Sequence, residues 1–250
     1  MGTNDLVLTA GVVIGAVLLA AFGPLLIRRE RRAGAPLAGT SNDTIDVRDR
    51  SDWLFMIPTL NDRVPLVDRG SNWGQGTPSA LLHDDDWRQE EFTPVSNRAF
   101  IEKTLEQLMS HRAVHQAGAG FREVFVRTEP PNALDALEIK LSDLEDLLGK
   151  RRISLFLNGS RARRAIGGFA ILLPDVGFLY GQEIDGVVSA LGLGLVGGGV
   201  GDVSELSMLS ERYGLLFVDW VRGVVVEPGD ASGFRAWLDA SISRQSEEPS

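Results

Sequence analysis

The sequence predicts an α+β protein in which a single N-terminal transmembrane helix is followed by a soluble mixed domain with a mainly antiparallel sheet. Three observations lead to this fold class. Residues 6–27 carry no charged side chain, and a cluster of arginines follows them directly. The rest of the chain mixes helix and strand patterns without a regular βαβ alternation, which favours an α+β domain.

The composition limits both the size of the domain and the kinds of site it can hold. Of 250 residues, 44% are hydrophobic and 24% are charged, as is typical of a globular domain. The formal net charge of −9 argues against nucleic acid as a partner, because affinity for phosphate backbones comes from clustered Lys and Arg. The absence of cysteine excludes disulfides, thiolate nucleophiles and cysteine-based zinc sites.

The predicted anchor is the uncharged run of 22 residues from Leu6 to Ile27. As a helix it extends about 33 Å, enough to cross a hydrocarbon core of about 30 Å. Residues 1–5, a short extracytoplasmic segment, contain no Lys or Arg. The positive-inside rule therefore places the N-terminus outside and the soluble domain in the cytoplasm, at the inner (plasma) membrane. Four arginines set this orientation and are expected to contact lipid headgroups: Arg28, Arg29, Arg31 and Arg32.

Small residues inside the anchor predict a contact with another transmembrane helix. Gly11 and Gly15 form G-x-x-x-G, and Gly23 lies farther along nearly the same face. Such spacing lets two helices approach closely in lipid. The expected partner is an integral-membrane protein complex or a second copy of this chain. In the alternative interpretation, these glycines reflect only the high frequency of glycine in membrane helices.

The cytoplasmic part divides by composition. Residues 28–50 combine the basic juxtamembrane segment with a tether of small and mixed-charge residues. The soluble α+β domain is expected over 51–240, with possible sub-lobes at 51–149, where helix patterns dominate, and 150–240, where strand patterns dominate. Residues 241–250 read as a flexible tail.

Helices are predicted in four places. The apolar stripe in 96–118 predicts the first, capped by Ser96 or Asn97. Five leucines between 134 and 148 lie on one helical stripe, although a strand followed by a helix from Ser142, with a Ser-x-x-Glu capping box, fits as well. Residues 202–214 predict a helix with Asp202 as its cap, and residues 231–242 a last short helix.

Strands are predicted between these helices. Residues 53–92, with several prolines and glycines, indicate short strands and ordered loops, and 121–127 alternates like one strand. Residues 152–175 predict a hairpin that turns at Asn158–Gly159. Residues 215–228 predict a strand, or a strand pair bent at Gly223. The hairpin also carries a basic cluster, which either contacts headgroups or is a solvated face paired with carboxylates: Arg151, Arg152, Arg161, Arg163 and Arg164.

One glycine pattern resembles a nucleotide site. Gly192, Gly194 and Gly197 satisfy G-x-G-x-x-G, and Asp219 follows at the distance of a ribose-binding acid. The surrounding glycines argue against it, because no helix begins comfortably at the second glycine. The alternative is a flexible or close-packed glycine loop.

A second pattern is typical of metal ligands. His111 and His115 stand four apart on the first predicted helix, and His83 precedes three aspartates, of which Asp85 is the central one. The pair lacks the glutamate of H-E-x-x-H, so it is not a protease signature. A solvent-facing histidine pair and a capped acidic turn are the alternative interpretation.

The leading functional hypothesis is a non-catalytic accessory, assembly or regulatory subunit that joins a larger membrane protein complex through its soluble domain and anchor helix. The chain offers no nucleophile elbow and no Ser/His/Asp set, and we expect no cofactor. The runner-up is a membrane-tethered metal-dependent hydrolase that uses His83, the Asp84–Asp86 group, His111 and His115. A nucleotide-responsive regulator built on Gly192 is the third hypothesis.

Overall fold

A computed structural model describes residues 54–71, 78–159, 161–195 and 201–247. They belong to one unit, Ser51–Ser250. The predicted anchor, its arginines and the tether lie outside the described residues. Within the described ranges, no helix is both long enough and apolar enough to span a membrane.

Thirteen strands are found in the described part of the chain. Their bounds are Thr59–Asn61 (β1), Val67–Asp68 (β2), Ser79–His83 (β3), Glu90–Pro94 (β4), Gln116–Ala117 (β5), Gly120–Phe121 (β6), Phe125–Arg127 (β7), Arg152–Asn158 (β8), Ala162–Leu173 (β9), Gly177–Ile184 (β10), Val187–Leu195 (β11), Leu215–Asp219 (β12) and Val224–Val226 (β13).

Nine of these described strands form one sheet. Its order is β13, β12, β4, β11, β10, β9, β8 and β3, with β2 added beside β9. All pairs are antiparallel except β3 with β8. The predicted mixed α+β domain with a mainly antiparallel sheet is confirmed. Strands from both sides of Gly149 belong to this sheet, and β1 and β7 form a separate parallel ribbon.

Four α-helices lie among the described residues: Arg98–His115 (α1), Leu141–Leu147 (α2), Ser204–Tyr213 (α3) and Ala231–Glu247 (α4). The first and third occur where the sequence predicts them. The last helix extends to Glu247, past the predicted start of the tail, because Trp237 and Leu238 are buried in the core and Ile242 packs against it.

The leucine-rich segment differs from both sequence interpretations. Leu134–Leu137 forms a 3-10 turn, Lys140 bridges to Val187 of β11, and only then does α2 begin. The predicted capping box at Ser142 is wrong, since Lys140 occupies the cap position and no side chain caps the helix. Four of the five leucines are nevertheless buried, so the stripe identified core positions but not one continuous helix.

The main core lies on one face of the sheet. Phe92, Phe169, Leu179 and Phe217 pack there against side chains of α2, α3 and α4. A smaller cluster lies on the opposite face, where Ile101 of α1 packs on Leu216, Val218 and Trp220. Both faces of the sheet near β12 are therefore covered by helices.

Candidate functional site

A polar network lies on the sheet face opposite the main core. Glu91 of β4 faces Val218 on one neighbouring strand and Gly192 on the other, and Gly192 faces Tyr180. Directly opposed residues share a face, so the side chains of Glu91 and Tyr180 project to the same side. Phe92 and Phe217, one position along, project into the main core instead.

The turn that leads into β4 is fixed by Tyr180. The backbone N–H of Arg88 donates to the Tyr180 hydroxyl at 2.8 Å, and that hydroxyl donates to the Asp86 carbonyl at 3.0 Å. Burial raises the pKa of Tyr180 well above its ordinary value, which keeps the hydroxyl protonated as a donor. Arg88 has a φ of 56°, a left-handed conformation that costs a non-glycine residue about 1 kcal/mol or more. The buried tyrosine therefore helps to hold a strained arginine.

The Arg88 guanidinium joins two glutamates. Its Nε donates to Glu91, and its NH1 lies 2.6 Å from each carboxylate oxygen of Glu129. The other oxygen of Glu91 accepts from the Trp220 indole N–H at 2.7 Å. Arg88 and Glu91 are both buried. Burial by itself lowers the pKa of Arg88, but the two carboxylates outweigh it and raise the pKa above its ordinary value.

A second buried arginine, Arg127, ties the ribbon of β1 and β7 to the same place. It donates to the Thr59 hydroxyl at 2.8 Å and to the Arg88 carbonyl at 2.7 Å, and its guanidinium lies 4.9 Å from the Trp220 ring centroid. Among the described residues, its Nε has no hydrogen-bond acceptor. Because Arg127 is buried without a carboxylate hydrogen bond, its pKa falls to about 10.

Gln89 completes the connection to the ribbon. Its side-chain amide N–H groups donate to the carbonyls of Thr59 and Asp85, each at 2.7 Å. Thr59 is fully buried and its hydroxyl donates to the Phe125 carbonyl at 2.7 Å. The network therefore fixes one side of the ribbon onto the sheet, and the other side of the ribbon faces outward.

A third polar centre lies at the end of β12. Asp219 is fully buried, accepts from the Trp237 indole N–H at 2.9 Å and from the Arg222 backbone N–H at 2.9 Å. Glu90 stands directly opposite Asp219 across the strand pair. Burial, followed by repulsion from Asp219 and Asp86, raises the pKa of Glu90 to about 8. By strand alternation Glu90 and Asp219 project to the main-core face, one position along from Glu91 and Val218, and Glu90 holds its proton up to about pH 8.

The first two glycines of the nucleotide pattern have a packing role. Gly192 and Gly194 lie inside β11, directly opposite Tyr180 and Phe178. A Cβ added at either glycine would lie 2.5 Å from the facing aromatic ring, so the rings occupy the space that side chains would need. Gly197 lies outside the described residues. At Gly192 and Gly194 the chain continues as a strand, whereas a dinucleotide site needs a helix to begin there, and Asp219 is engaged by Trp237.

The predicted metal residues fall into two groups. His83 lies 3.5 Å from Asp85 at the end of β3, whereas His111 and His115 are on α1. The two α1 rings stack at 4.2 Å with an angle of 22° between their planes. Nitrogen lone pairs lie in the ring planes, so stacked rings do not aim at a common ion. In the part of the chain that the structure describes, no group of three or more acidic and histidine side chains is placed to hold a metal.

The remaining predicted site residues lie outside the described residues. They are the helix-packing glycines Gly11, Gly15 and Gly23, and the membrane-surface arginines Arg28, Arg29, Arg31 and Arg32. Conversely, sequence reasoning missed Arg88, Glu91, Arg127 and Glu129. Glu91 and Arg127 lie within short strands, where every second side chain points inward. This alternation was the signal in the sequence that could have predicted their burial.

An exposed apolar surface accompanies the ribbon. We define the amino-terminal apolar surface by five apolar residues whose exposed fractions range from 43% to 75%: Leu54, Phe55, Met56, Val114 and Val126. Backbone hydrogen bonds join the segments that carry them, since Phe55 pairs with Phe121, and the Arg122 N–H donates to the His115 carbonyl at 2.9 Å. Val126 pairs with Leu60 across the ribbon. Exposed apolar side chains grouped in this way are typical of protein contacts.

Comparisons of the chain with models of protein families, with curated proteins and with solved structures found no match.

Proposed function

We propose that this chain is a single-pass inner-membrane protein that acts as a non-catalytic accessory, assembly or regulatory subunit of a larger membrane protein complex. Its N-terminus is outside and its α+β domain is cytoplasmic. The amino-terminal apolar surface is the observation that carries the proposal. It begins at Leu54, four residues after the predicted tether ends, so it lies where the domain is nearest to its anchor along the chain.

The buried network supports a positioning role. Arg127 and Gln89 hold the inner side of the ribbon, and Val126 on its other side is 56% exposed. A rigid strand pair loses less conformational freedom on binding than a loose loop does, so its side chains are suited to contact a partner. Arg88 is bonded to Glu91 and Glu129, and Arg127 to neutral oxygens, so the network supports the ribbon as a rigid surface for a partner.

The anchor contributes the other half of the proposed assembly. Its G-x-x-x-G spacing supports close packing with a transmembrane helix of the partner. A flexible segment of the tether's length, 23 residues, has a root-mean-square end-to-end distance of about 30 Å, which favours a second contact by the domain with the same complex. Two weak contacts on one chain reinforce each other because the second forms at high local concentration.

Purification from the native membrane in mild detergent tests the proposal. We expect the full tagged chain to bring down an integral-membrane complex in stoichiometric amount, and Val126→Asp to reduce its yield about tenfold or more, because it places a charge in an apolar contact. Met208→Asp is the matched control, since Met208 is exposed to a similar extent on α3. Recovery of the chain alone, or equal loss in both variants, would contradict the proposal.

Orientation is tested separately with a unique thiol. Because the chain has no cysteine, Ser250→Cys introduces the only one. We expect a membrane-impermeant maleimide to label it in opened cells and not in intact cells. Labelling of intact cells would show that the domain is outside.

A further inference from the structure

The end of strand β8 carries two residues whose chemistry the buried network does not use. The chain has seven asparagines, and only Asn158 is followed by a glycine. A glycine nitrogen is not shielded by a side chain, and glycine reaches backbone angles that other residues avoid. Two groups of one chain that can meet react far faster than separate molecules do. The Gly159 nitrogen can therefore reach the Asn158 carboxamide carbon, Cγ, more easily than the nitrogen after any other asparagine can reach its neighbour.

Asn158 forms the last pair of its strand. It pairs with Ala162 of β9 on one side and with His83 of β3 on the other, and β8 ends there. Asn158 is half-buried, and Gly159 is exposed to water. The end of a strand opens at little cost in free energy, because few neighbours hold it. The backbone can therefore leave its extended conformation at this pair.

Neither of the two reacting groups is held by a hydrogen bond. Within the part of the chain that the structure describes, the Asn158 carboxamide and the Gly159 N–H have no hydrogen-bond partner. The Asp84 carboxylate lies against the glycine, since a Cβ at position 159 would be 2.5 Å from the Asp84 Oδ2 atom. The carboxamide carbon and the nitrogen are thus both available for reaction.

The other asparagines of the described ranges are held by hydrogen bonds. The side-chain oxygen of Asn61 accepts the Arg63 N–H at 2.9 Å. The Asn132 amide donates to the Asn97 side-chain oxygen at 3.0 Å, and the Asn97 amide donates to the Thr93 hydroxyl at 2.8 Å. A bonded carboxamide must give up its partners before its carbon can be attacked. These three asparagines are therefore internal controls.

We propose that Asn158 is a site of spontaneous covalent modification, where the chain converts its own asparagine into aspartate and isoaspartate. The Gly159 nitrogen forms a bond to Cγ, and the bond from Cγ to Nδ2 breaks. The Gly159 N–H proton passes to Nδ2, which leaves as ammonia, and a cyclic succinimide remains. Water then opens the ring. Addition of water at Cγ gives aspartate, and addition at the backbone carbonyl gives isoaspartate, in each case with a new carboxylate and one released proton.

Both products change the end of β8. The new carboxylate joins two acids, namely Asp84 beside Gly159 and Asp85, whose carboxylate lies 3.5 Å from the His83 ring. In isoaspartate the backbone also runs through the side chain and is one methylene longer, which disturbs the register of residue 158 with both neighbouring strands. The protein therefore exists in forms that differ with its age. The reaction needs neither the anchor nor a partner, so it does not depend on the proposed function.

Peptide mapping of the aged protein tests this site. The full chain is kept in mild detergent at neutral pH for several weeks and is then digested with trypsin. Residues 153–161 form one tryptic peptide, because Arg152 precedes them and Arg161 ends them. A second sample is aged unfolded in urea and gives the rate without the fold. A fresh sample corrects for any reaction during digestion.

We expect this peptide to gain the mass of an oxygen atom in place of NH and to separate into two products. One of them, isoaspartate, accepts a methyl group from isoaspartyl methyltransferase. The rate in the folded chain should be no less than about one tenth of the rate in urea, because the strand end opens readily. In the folded sample Asn61, Asn97 and Asn132 should stay intact. Asn158→Gln, whose side chain would have to close a larger ring, should abolish the signal.

Three outcomes would contradict the inference. If the peptide stays intact in the folded chain but reacts in urea, β8 protects Asn158 and the site is not reactive. A gain of mass without isoaspartate would exclude the cyclic route, since direct hydrolysis of the carboxamide gives only aspartate. Modification of Asn97 or Asn132 at the same rate as Asn158 would remove the role of the unbonded carboxamide.

Discussion

The two faces of the nine-stranded sheet are held by different forces. On the main-core face, Phe92, Phe217 and Phe234 pack ring against ring, with centroids 5.1 to 6.2 Å apart. On the opposite face, Arg88, Glu91 and Trp220 meet through directed hydrogen bonds. Apolar packing tolerates small shifts, whereas a buried hydrogen-bonded charge does not. Both faces therefore contribute stability, and the directed bonds of the second face also fix the position of the ribbon.

The largest expected effect comes from the main-core face. Phe217→Ala removes a ring that contacts Phe92, Phe234 and Trp237, and should lower the free energy of unfolding by about 4 kcal/mol. Urea unfolding of the full chain in detergent, followed by tryptophan fluorescence, measures the change. The exposed Val126→Ala serves as control and should change the value by less than about 0.5 kcal/mol. Equal changes in the two variants would remove the distinction between core and surface.

Next in size is the removal of the central charge of the network. Glu91→Gln leaves the buried Arg88 with one carboxylate and should lower the free energy of unfolding by about 3 kcal/mol. Glu129→Gln acts on the same guanidinium at a site where 28% of the side chain is exposed, and should cost about 1 kcal/mol.

The network variants also test whether charge or shape matters. Adding Arg88→Met to Glu91→Gln removes the buried charge and should restore part of the lost stability, because the main cost is a buried cation with only Glu129 left to balance it. If the double variant is less stable than Glu91→Gln by the full effect of Arg88→Met alone, the two residues are not coupled.

A smaller effect is expected where an aromatic ring lies against a glycine. Gly192→Ala places a methyl group against the Tyr180 ring and should lower the free energy of unfolding by about 2 kcal/mol. Gly70→Ala is the control, since the nearest atom to its Cβ, at 3.4 Å, is an ordinary contact. Tolerance of alanine at 192 would show that Tyr180 is free to move.

The free energy of unfolding should also depend on pH, by a modest amount for each pH unit. The folded protein holds a proton on Glu90 up to about pH 8, whereas the unfolded chain releases it near 4.5, so stability from this group falls as pH rises between these values. The slope is at most about 1.4 kcal/mol per pH unit. Glu90→Gln cannot ionise and should gain stability relative to the parent as pH rises through this window. Parallel urea midpoints for both proteins across the window would contradict the raised pKa.

Local sequence signals succeeded where neighbours along the chain determine the structure. Strand β8 ends at Asn158 and Gly159 follows it before β9, next to the predicted turn, and α3 ends just before Gly214. The prediction of one continuous helix in the leucine-rich segment failed because leucine periodicity indicates burial. Two short elements separated by the bridge at Lys140 bury the leucines equally well. The glycine pattern is not specific to a nucleotide site, because glycine opposite an aromatic residue in a sheet gives the same letters as glycine in a phosphate loop.

By itself, the sequence determined the mixed class, the antiparallel hairpin, and the first and third helices, because these depend on contacts between residues close in the chain. Tertiary structure alone decided the network, since Arg88, Arg127 and Trp220 come from three distant segments that only the strand order brings together. It also decided which arginines of the hairpin pair with a carboxylate, as Arg151 does with Glu205 and Arg152 with Glu145. Such choices depend on distances across the sheet, and no local pattern in the chain encodes those distances.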